Sequence, residues 1–279
     1  MSHTSQAPIG LVAGWGRFPI LIAEKAKQLG LAVHCVGLRH EASPELTSLV
    51  EEFHWSGVLQ LGKIIRTLKH AGVKKVTWAG KIHKASLLYR PWRIFSVIPD
   101  WRAFRAYLRS RKNWRDDTIL LELVHEFEKD GMTIVPATEI CPELLVQPGA
   151  LTRRKLTTTE KADVEQGWVL AKVMGEHDVG QSVMLKDGCI LAVEAVEGTD
   201  RAILRAGELC RSGGFTVVKV AKPQQDMRFD VPTIGQQTIE TMHQAKATVL
   251  AIEAHKTIIL DQEATVALAE RYGISIVAR

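Results

Sequence analysis

Apolar residues fall into short runs with two different spacings along this chain, and the order of those runs sets the expected fold class. Ile9 to Ala13 is a strand-like run followed by the turn Gly14-Trp15-Gly16-Arg17-Phe18-Pro19. Helical spacing follows from Ile20 to Leu29, stops at Gly30, and gives way to a second run, Ala32 to Leu38. Strand, helix and strand with a glycine-rich first turn predict a parallel sheet flanked by helices. Gly62 to His70 reads as a helix closed by Ala71-Gly72, and Val73 to Ala79 as a strand ended by Gly80-Lys81. Ile119 to Lys129 is a further helix, with Asp116-Asp117-Thr118 placed to cap it, and Thr133 to Pro136 a further strand.

The texture changes after Ala137. Pro142, Pro148, Gly149 and the segment TRRKLTTTE interrupt the periodicity. This places a linker at 139–159, between a first domain at 1–138 and a second at 160–279. Glu160 to Gly175 is helical, and Ser182 to Lys186 and Cys189 to Glu194 alternate around Asp187-Gly188, a hairpin signal. A helix from Arg201 to Leu209, N-capped by Thr199 or Asp200, precedes the β-branched run Val217, Val218 and Val220. Pro232 is expected to stop any strand before Thr233-Ile234-Gly235 leads into a helix. Strands Thr248 to Ile252 and Thr257 to Leu260, a helix from Gln262 to Tyr272 and a strand Ile274 to Val277 complete the pattern. The expected class is α/β, with two α/β domains: an N-terminal Rossmann-like parallel sheet and a C-terminal mixed sheet.

Composition narrows the function classes. Apolar residues make up 46% and charged residues 24%, an ordinary globular balance, and no apolar run approaches the roughly 18 to 20 residues of a membrane span. MSHTSQAP carries no basic and apolar leader pattern, so no signal peptide is expected. Cys35, Cys141, Cys189 and Cys210 form no CxxC pair and are expected as free thiols in a reducing, cytoplasmic setting. No His or Cys spacing suits structural zinc.

Charge is concentrated rather than spread. Between Lys81 and Arg115 lie ten Lys/Arg (81, 84, 90, 93, 102, 105, 109, 111, 112, 115) against one acid, Asp100. Tyr89, Trp92, Phe95, Trp101, Phe104, Tyr107 and Trp114 interleave them. Three readings stay open: a core-facing stripe with a solvated basic back, an anionic membrane interface, or a module for single-stranded nucleic acid.

The candidate chemistry lies elsewhere. GWGRFP has two of the three glycines of a dinucleotide fingerprint, with Pro19 where the third would pack, which disfavours an NAD site. The Gly14–Gly16 turn still suits another anion, such as a diphosphate. Gly80-Lys81, at a strand end, is a candidate phosphate contact, or simply a surface lysine. Glu197-Gly198-Thr199-Asp200 offers two carboxylates, a hydroxyl and a helix start. Lys222-Pro223, Asp226, Arg228 and Asp230 form an acid, base, acid sequence before Pro232, which reads either as a cleft edge or as a solvated loop.

Taken together, GLVAGWGRFP, GKI at 62–64, WAGK at 78–81, HDVGQSVMLKDGCILAVEAVEGTD at 177–200 and AKPQQDMRFDVPTIGQQTI at 221–239 resemble the LpxI family of UDP-2,3-diacylglucosamine pyrophosphatases. The resemblance runs over nearly the whole chain. It implies two α/β domains with a nucleotide-linked glycolipid held in a cleft between them. It also implies cleavage to 2,3-diacylglucosamine 1-phosphate (lipid X) and UMP with Mg²⁺ or a similar divalent cation. Asp230 maps onto the family's essential aspartate, catalytic and metal-binding, and Asp200 and Glu197 are its candidate co-ligands. The substrate-facing positions it implies are Gly14, Gly16, Gly80, Lys81, Gln181, Thr199, Asp200, Lys222, Arg228, Thr233 and Gly235. Asp226 departs from the family pattern and ranks below Asp230. The implied protein is cytoplasmic and peripheral to the inner membrane, admits a homo-oligomer, and has no nucleic-acid partner.

Overall fold

Buried β-branched and aliphatic strands alternate with helices in the first half of the chain because the central strands are covered on both faces. β1 (Ile9–Ala13), β2 (Val33–Leu38), β3 (Glu52–Ser56), β4 (Lys75–Ala79) and β5 (Thr133–Ile134) form one parallel sheet in the order β3-β2-β1-β4-β5. The winding direction reverses between β1 and β4, the place where open α/β sheets form a crevice at their strand ends. The structure is a computed structural model that describes residues 7–82, 99–110, 116–229 and 231–279, the side chains of Ser110 and of residues 116–119 excepted. Asp230 therefore lies outside the described residues. So do Lys84, Tyr89, Arg90, Trp92, Arg93, Phe95, Arg111, Lys112, Trp114 and Arg115 of the basic segment, and the capping side chains at 116–118.

The chain divides into two compact units, Met1–Pro142 and Glu143–Arg279. In the first, α1 (Phe18–Gln28) starts at Pro19, which fits a first helical turn. Ile20, Ile22, Ala23 and Ala26 of α1 bury against Leu11, Ala13, Val33 and Cys35 of the sheet. Burial pushes the Cys35 thiol up to about 12, so it stays an inert core group. All four cysteines are free. β3 was not expected from sequence. Its EFHWS pattern leaves Glu52 and His54 outside, and Glu52 takes hydrogen bonds from both His34 and His54.

The helix over Trp101–Ser110, here α3, corrects the core-facing reading of its aromatic stripe. Trp101, Phe104, Tyr107 and Leu108 are all exposed, Trp101 by 69%, while the buried position is Ala106. Arg102 and Arg109 face the body instead, while Arg105 is exposed. Arg109 bonds Glu122 at 3.2 Å and Glu126 at 2.9 Å of α4 (Asp116–Glu128), and Arg102 bonds Asp130. Asp100 ends two helices at once. One carboxylate oxygen accepts Gly62 N–H at 2.5 Å, at the start of α2 (Leu61–His70), and the other accepts Ala103 N–H at 2.9 Å. α3 is thus anchored through charges and caps, with its apolar face left outward. This reverses the usual amphipathic arrangement.

Beyond the short helix α5 (Ala137–Ile140), the second unit holds a six-stranded sheet in the order β6-β13-β11-β9-β7-β8. These strands are β6 (Gly149–Ala150), β7 (Ser182–Lys186), β8 (Cys189–Val193), β9 (Phe215–Lys219), β11 (Ala247–Ile252) and β13 (Ser275–Ala278). β9, β11 and β13 run parallel, while β6, β7 and β8 pair antiparallel, so the sheet is mixed as expected. Asp187 at φ 51° and Gly188 at φ 76° make the β7–β8 turn that the sequence announces.

α6 (Thr158–Glu176) opens with a capping box. Glu160 N–H bonds the Thr157 hydroxyl at 3.2 Å, and Thr157 N–H bonds the Glu160 carboxylate at 2.8 Å. α6 covers one face of the sheet, where Val164 and Ala171 pack with Val218. α7 (Thr199–Leu209), α8 (Gln236–Gln244) and α9 (Gln262–Arg271) share the other cluster with Val217, through Ile203, Met242 and Ala269. Two expectations change here. The N-cap of α7 is Gly198 at φ 84°, because the Thr199 hydroxyl is used elsewhere. Pro232 is followed by a two-residue strand, β10 (Thr233–Ile234), which pairs with β12 (Ile258–Ile259) since Pro232 need only offer its carbonyl, to Ile258 N–H.

Candidate functional site

In the first unit the ends of β1 and β4 are stitched together. Gly14 N–H donates to Ala79 O at 2.8 Å, and Trp15 and Lys81 exchange backbone bonds at 2.8 and 2.9 Å as an antiparallel bridge. A Cβ on Gly14 would stand 2.6 Å from the Lys81 carbonyl oxygen, and one on Gly80, at φ 91°, 2.7 Å from the Trp15 oxygen. The structure thus brings Gly14, Gly80 and Lys81 together, with Gly16 two residues along at φ 110°. The Gly14 N–H is used within the sheet, so what Gly14 offers a ligand is room rather than a donor. The Lys81 side chain is exposed and makes no bond among the described residues.

In the second unit the candidate residues gather where parallel β9 and β11 end. β9 finishes in Lys219, whose side chain belongs to a strand buried at every position. Lys219 Nζ donates to Thr199 Oγ1 and to Thr233 O, both at 3.2 Å. Thr199 Oγ1 donates to Glu194 Oε1 at 3.0 Å, and Ser182 Oγ lies 3.3 Å from it. Gln181 joins through its backbone: its N–H meets Glu194 Oε2 at 3.4 Å, and its carbonyl accepts Val220 N–H at 3.0 Å. Gln181, Thr199 and Thr233 are therefore one constellation, linked by residues that the sequence reading did not single out: Ser182, Glu194 and Lys219. The available signal was a lone Lys inside the otherwise apolar run Phe215 to Ala221.

The remaining candidates are paired more locally. Glu197 accepts Arg205 at 2.5 Å on one oxygen and Ala195 N–H at 3.2 Å on the other. Its own backbone N–H, and then the Arg205 guanidinium, hold its carboxyl below the usual range. Asp200 is exposed in the first turn of α7 and makes no side-chain bond among the described residues. Lys222 pairs with Asp178, while its N–H bonds Gln225 Oε1 at 2.9 Å. Arg228 grips Asp226 through Nε at 2.9 Å and a terminal nitrogen at 2.6 Å, which lowers the Asp226 pKa. Gly235 caps α8 in an extended conformation open to any residue. Among the described residues no three His, Cys, Asp or Glu side chains gather as a metal cluster.

A buried ion pair holds the start of the 221–235 segment. Glu253, directly after β11, accepts Lys172 Nζ at 2.6 Å and Ala221 N–H at 2.8 Å on one oxygen, and pairs with Lys256 at 3.1 Å on the other. Burial pushes its carboxyl up, but Lys172, Ala221 N–H and Lys256 outweigh it and hold the pKa below normal. A depressed carboxylate stabilises the fold above its unfolded pKa, and that contribution fades as pH falls through the folded value. Glu253→Gln is expected to cost about 1–3 kcal/mol at pH 7, because Lys172 loses its counter-charge and keeps only the Ala221 carbonyl, at 2.9 Å. The deficit should shrink in acid, below about pH 4.3. Urea unfolding at pH 7 and pH 3.5 checks this, and an equal deficit at both would refute it.

Comparison with known proteins was consistent along the length. The model of the LpxI N-terminal domain matches residues 8–144 and that of the LpxI C-terminal domain residues 147–277. The UDP-2,3-diacylglucosamine pyrophosphatase LpxI of Caulobacter vibrioides is 30% identical over 283 residues, covering 96% of each chain. Among solved structures, the biotin carboxylase subunit of pyruvate carboxylase is 14% identical over 68% of this chain and 36% of its own, with a TM-score of 0.28. The biotin carboxylase domain of a thermophilic 2-oxoglutarate carboxylase is 14% identical over 63% and 34%, with a TM-score of 0.27. The chain spans about a third of those two structures, and scores so low carry no argument.

Proposed function

Since the chain belongs to the LpxI family, we propose that it hydrolyses the pyrophosphate of UDP-2,3-diacylglucosamine to 2,3-diacylglucosamine 1-phosphate and UMP. The observation that supports placing the chemistry in the second unit is the Lys219 link, which joins Thr199 of the EGTD turn to Thr233, three residues after Asp230.

Attack of water on a pyrophosphate needs a carboxylate to orient or deprotonate the water and positive charge for the oxygens. In this reading Asp230 is that carboxylate. Lys222 supplies charge: among the described residues its ammonium pairs with Asp178, whose side chain is 72% exposed. Arg228 is already neutralised by Asp226 and acts mainly to shape the loop. Gln181 Oε1, buried and without a partner among the described residues, is an acceptor for a substrate donor.

Hard carboxylate oxygens suit Mg²⁺, which binds through one or two of them together with substrate phosphate. Asp200, exposed and without a side-chain bond among the described residues, fits that role together with Asp230. Glu197 would first have to release Arg205 and Ala195. When bound, the cation would neutralise charge developing on the phosphate oxygens. The test is hydrolysis of UDP-2,3-diacylglucosamine in ¹⁸O water with and without EDTA. No UMP release in the presence of metal would sink the activity, and full release in EDTA would sink the metal.

We also place the protein at the cytoplasmic surface of the inner membrane, held by the outward face of α3. No helix among the described residues is long and apolar enough to cross a membrane, whereas Trp101, Phe104 and Leu108 flank the exposed Arg105. Aromatic rings beside cations suit an anionic headgroup layer. Trp101→Ala with Phe104→Ala should lower co-sedimentation with phosphatidylglycerol vesicles at least about tenfold, given ~1.5–3 kcal/mol per buried large side chain. Unchanged partitioning would remove the surface, and salt-steep capture of a single-stranded oligonucleotide would restore the nucleic-acid alternative.

A further inference from the structure

Lys219 is a charged residue where the fold least favours one. It ends β9, is only 7% exposed, and is flanked by Val217, Val218 and Val220, each fully buried. A buried ammonium is tolerated only when its N–H groups are taken up and a counter-charge is near. The fold supplies both. Lysine has donors only, so in the 3.2 Å bond to Thr199 the hydroxyl must accept. The Thr199 proton is then directed to Glu194, itself 8% exposed, at 3.0 Å. The order ammonium, hydroxyl, carboxylate is fixed in one direction. A second N–H of Lys219 reaches the Thr233 carbonyl. Four elements distant in sequence meet in this way: the end of β8, the first turn of α7, β9 and β10.

We propose that Lys219 is a positioning residue. The Lys219–Thr199–Glu194 relay holds the segment after Asp230 in register with the EGTD turn, and so sets the placement of the reacting carboxylate relative to the diphosphate. The inference rests on the reading of Asp230 given above, and its test is arranged to separate the two. Pro232 precedes the anchored Thr233 carbonyl, and its ring removes one torsion from the path between that carbonyl and Asp230.

Lys219→Met leaves the buried Glu194 carboxylate without its counter-charge, so a lower melting temperature is expected for a structural and for a positioning lysine alike, and other readouts separate the two. The first readout needs no turnover. Amide hydrogen exchange over residues 231–239 should quicken at least about tenfold in Lys219→Met and in Thr199→Val, while Thr199→Ser, which keeps the hydroxyl, restores protection. Wild-type protection in both Lys219→Met and Thr199→Val overturns the inference, whether or not the wild type cleaves its substrate.

The second readout is kinetic. With UDP-2,3-diacylglucosamine, kcat should fall about a hundredfold in Lys219→Met with KM within threefold, since a misplacement near 1 Å costs that much. A rise in KM alone, with kcat retained, would make Lys219 a binding group and refute the positioning role. If Lys219→Met does not fold, the Thr199→Val and Thr199→Ser pair carries both readouts alone. Absence of turnover in the wild type removes the proposed activity but leaves the exchange result standing.

Discussion

Asp230→Asn should lower turnover of UDP-2,3-diacylglucosamine by about a thousandfold or more, the scale of losing a group that acts on charge in the transition state. Asn keeps the volume and one carbonyl oxygen, so the change removes charge and basicity and little else. Two neighbours sharpen the comparison. Asp226 is bound twice over by Arg228, so Asp226→Asn loosens a loop contact. Its effect on kcat should stay within about tenfold, the scale of one exposed charge-assisted contact. Asp200→Asn should act mainly through metal, with a loss that rising Mg²⁺ concentration partly repairs. Steady-state UMP release across the three variants checks the ranking. Turnover by Asp230→Asn within tenfold of the wild type, or an Asp226→Asn loss as large as that of Asp230→Asn, would overturn it.

The largest effect on stability is expected at Gly80→Ala. A side chain there meets the Trp15 oxygen at 2.7 Å, the Gly14 carbonyl carbon at 2.8 Å and Pro19 at 2.9 Å, all at φ 91°. Two of those atoms are backbone and cannot swing aside. The backbone strain and the overpacking together should cost about 3 kcal/mol or more. Gly16→Ala is the matched control, because it too has positive φ, at 110°, but nothing lies within 4 Å of its added carbon. It should cost only the conformational part, ~1 kcal/mol. Urea unfolding followed by tryptophan fluorescence separates the two. Equal costs would mean that the β1 and β4 ends are not stitched as described.

How much of this was legible in the residues depended on how local the determinant was. The hairpin at Asp187-Gly188, the helix closed by Gly30 and the strand ending in Gly80 are set by backbone preferences within a few positions, and they read correctly. β3 was missed because an edge strand with Glu52 and His54 facing out lacks an apolar run. β6 and β10 are two residues each, too short for any period. The motif residues Thr199, Lys222 and Arg228 stood out by charge and turn position. The partners of Thr199 and Lys222 did not, because Lys219 lies 20 positions from Thr199 and Asp178 lies 44 from Lys222, and they meet only in the folded chain. α3 was misjudged in one of its readings for a different reason. Periodicity shows that a helix has two faces, but not which one the rest of the protein covers, and here acids on α4 and Asp130 draw Arg102 and Arg109 inward.

The placement of β13 bears on how the protein is made. This strand, residues 275–278, is interior to its sheet, with β11 on one side and β6 on the other. During synthesis the first unit can close its own sheet as soon as residues up to about 140 have emerged, since nascent domains fold as units at about 5–20 residues per second. The second unit has no such early option. Until residues 275–278 leave the ribosome, β6 has no partner, and the apolar edge of β11 stays open to neighbouring chains. Slow translation over α9, or chaperone occupancy of that edge, would therefore bear directly on the yield of the second unit.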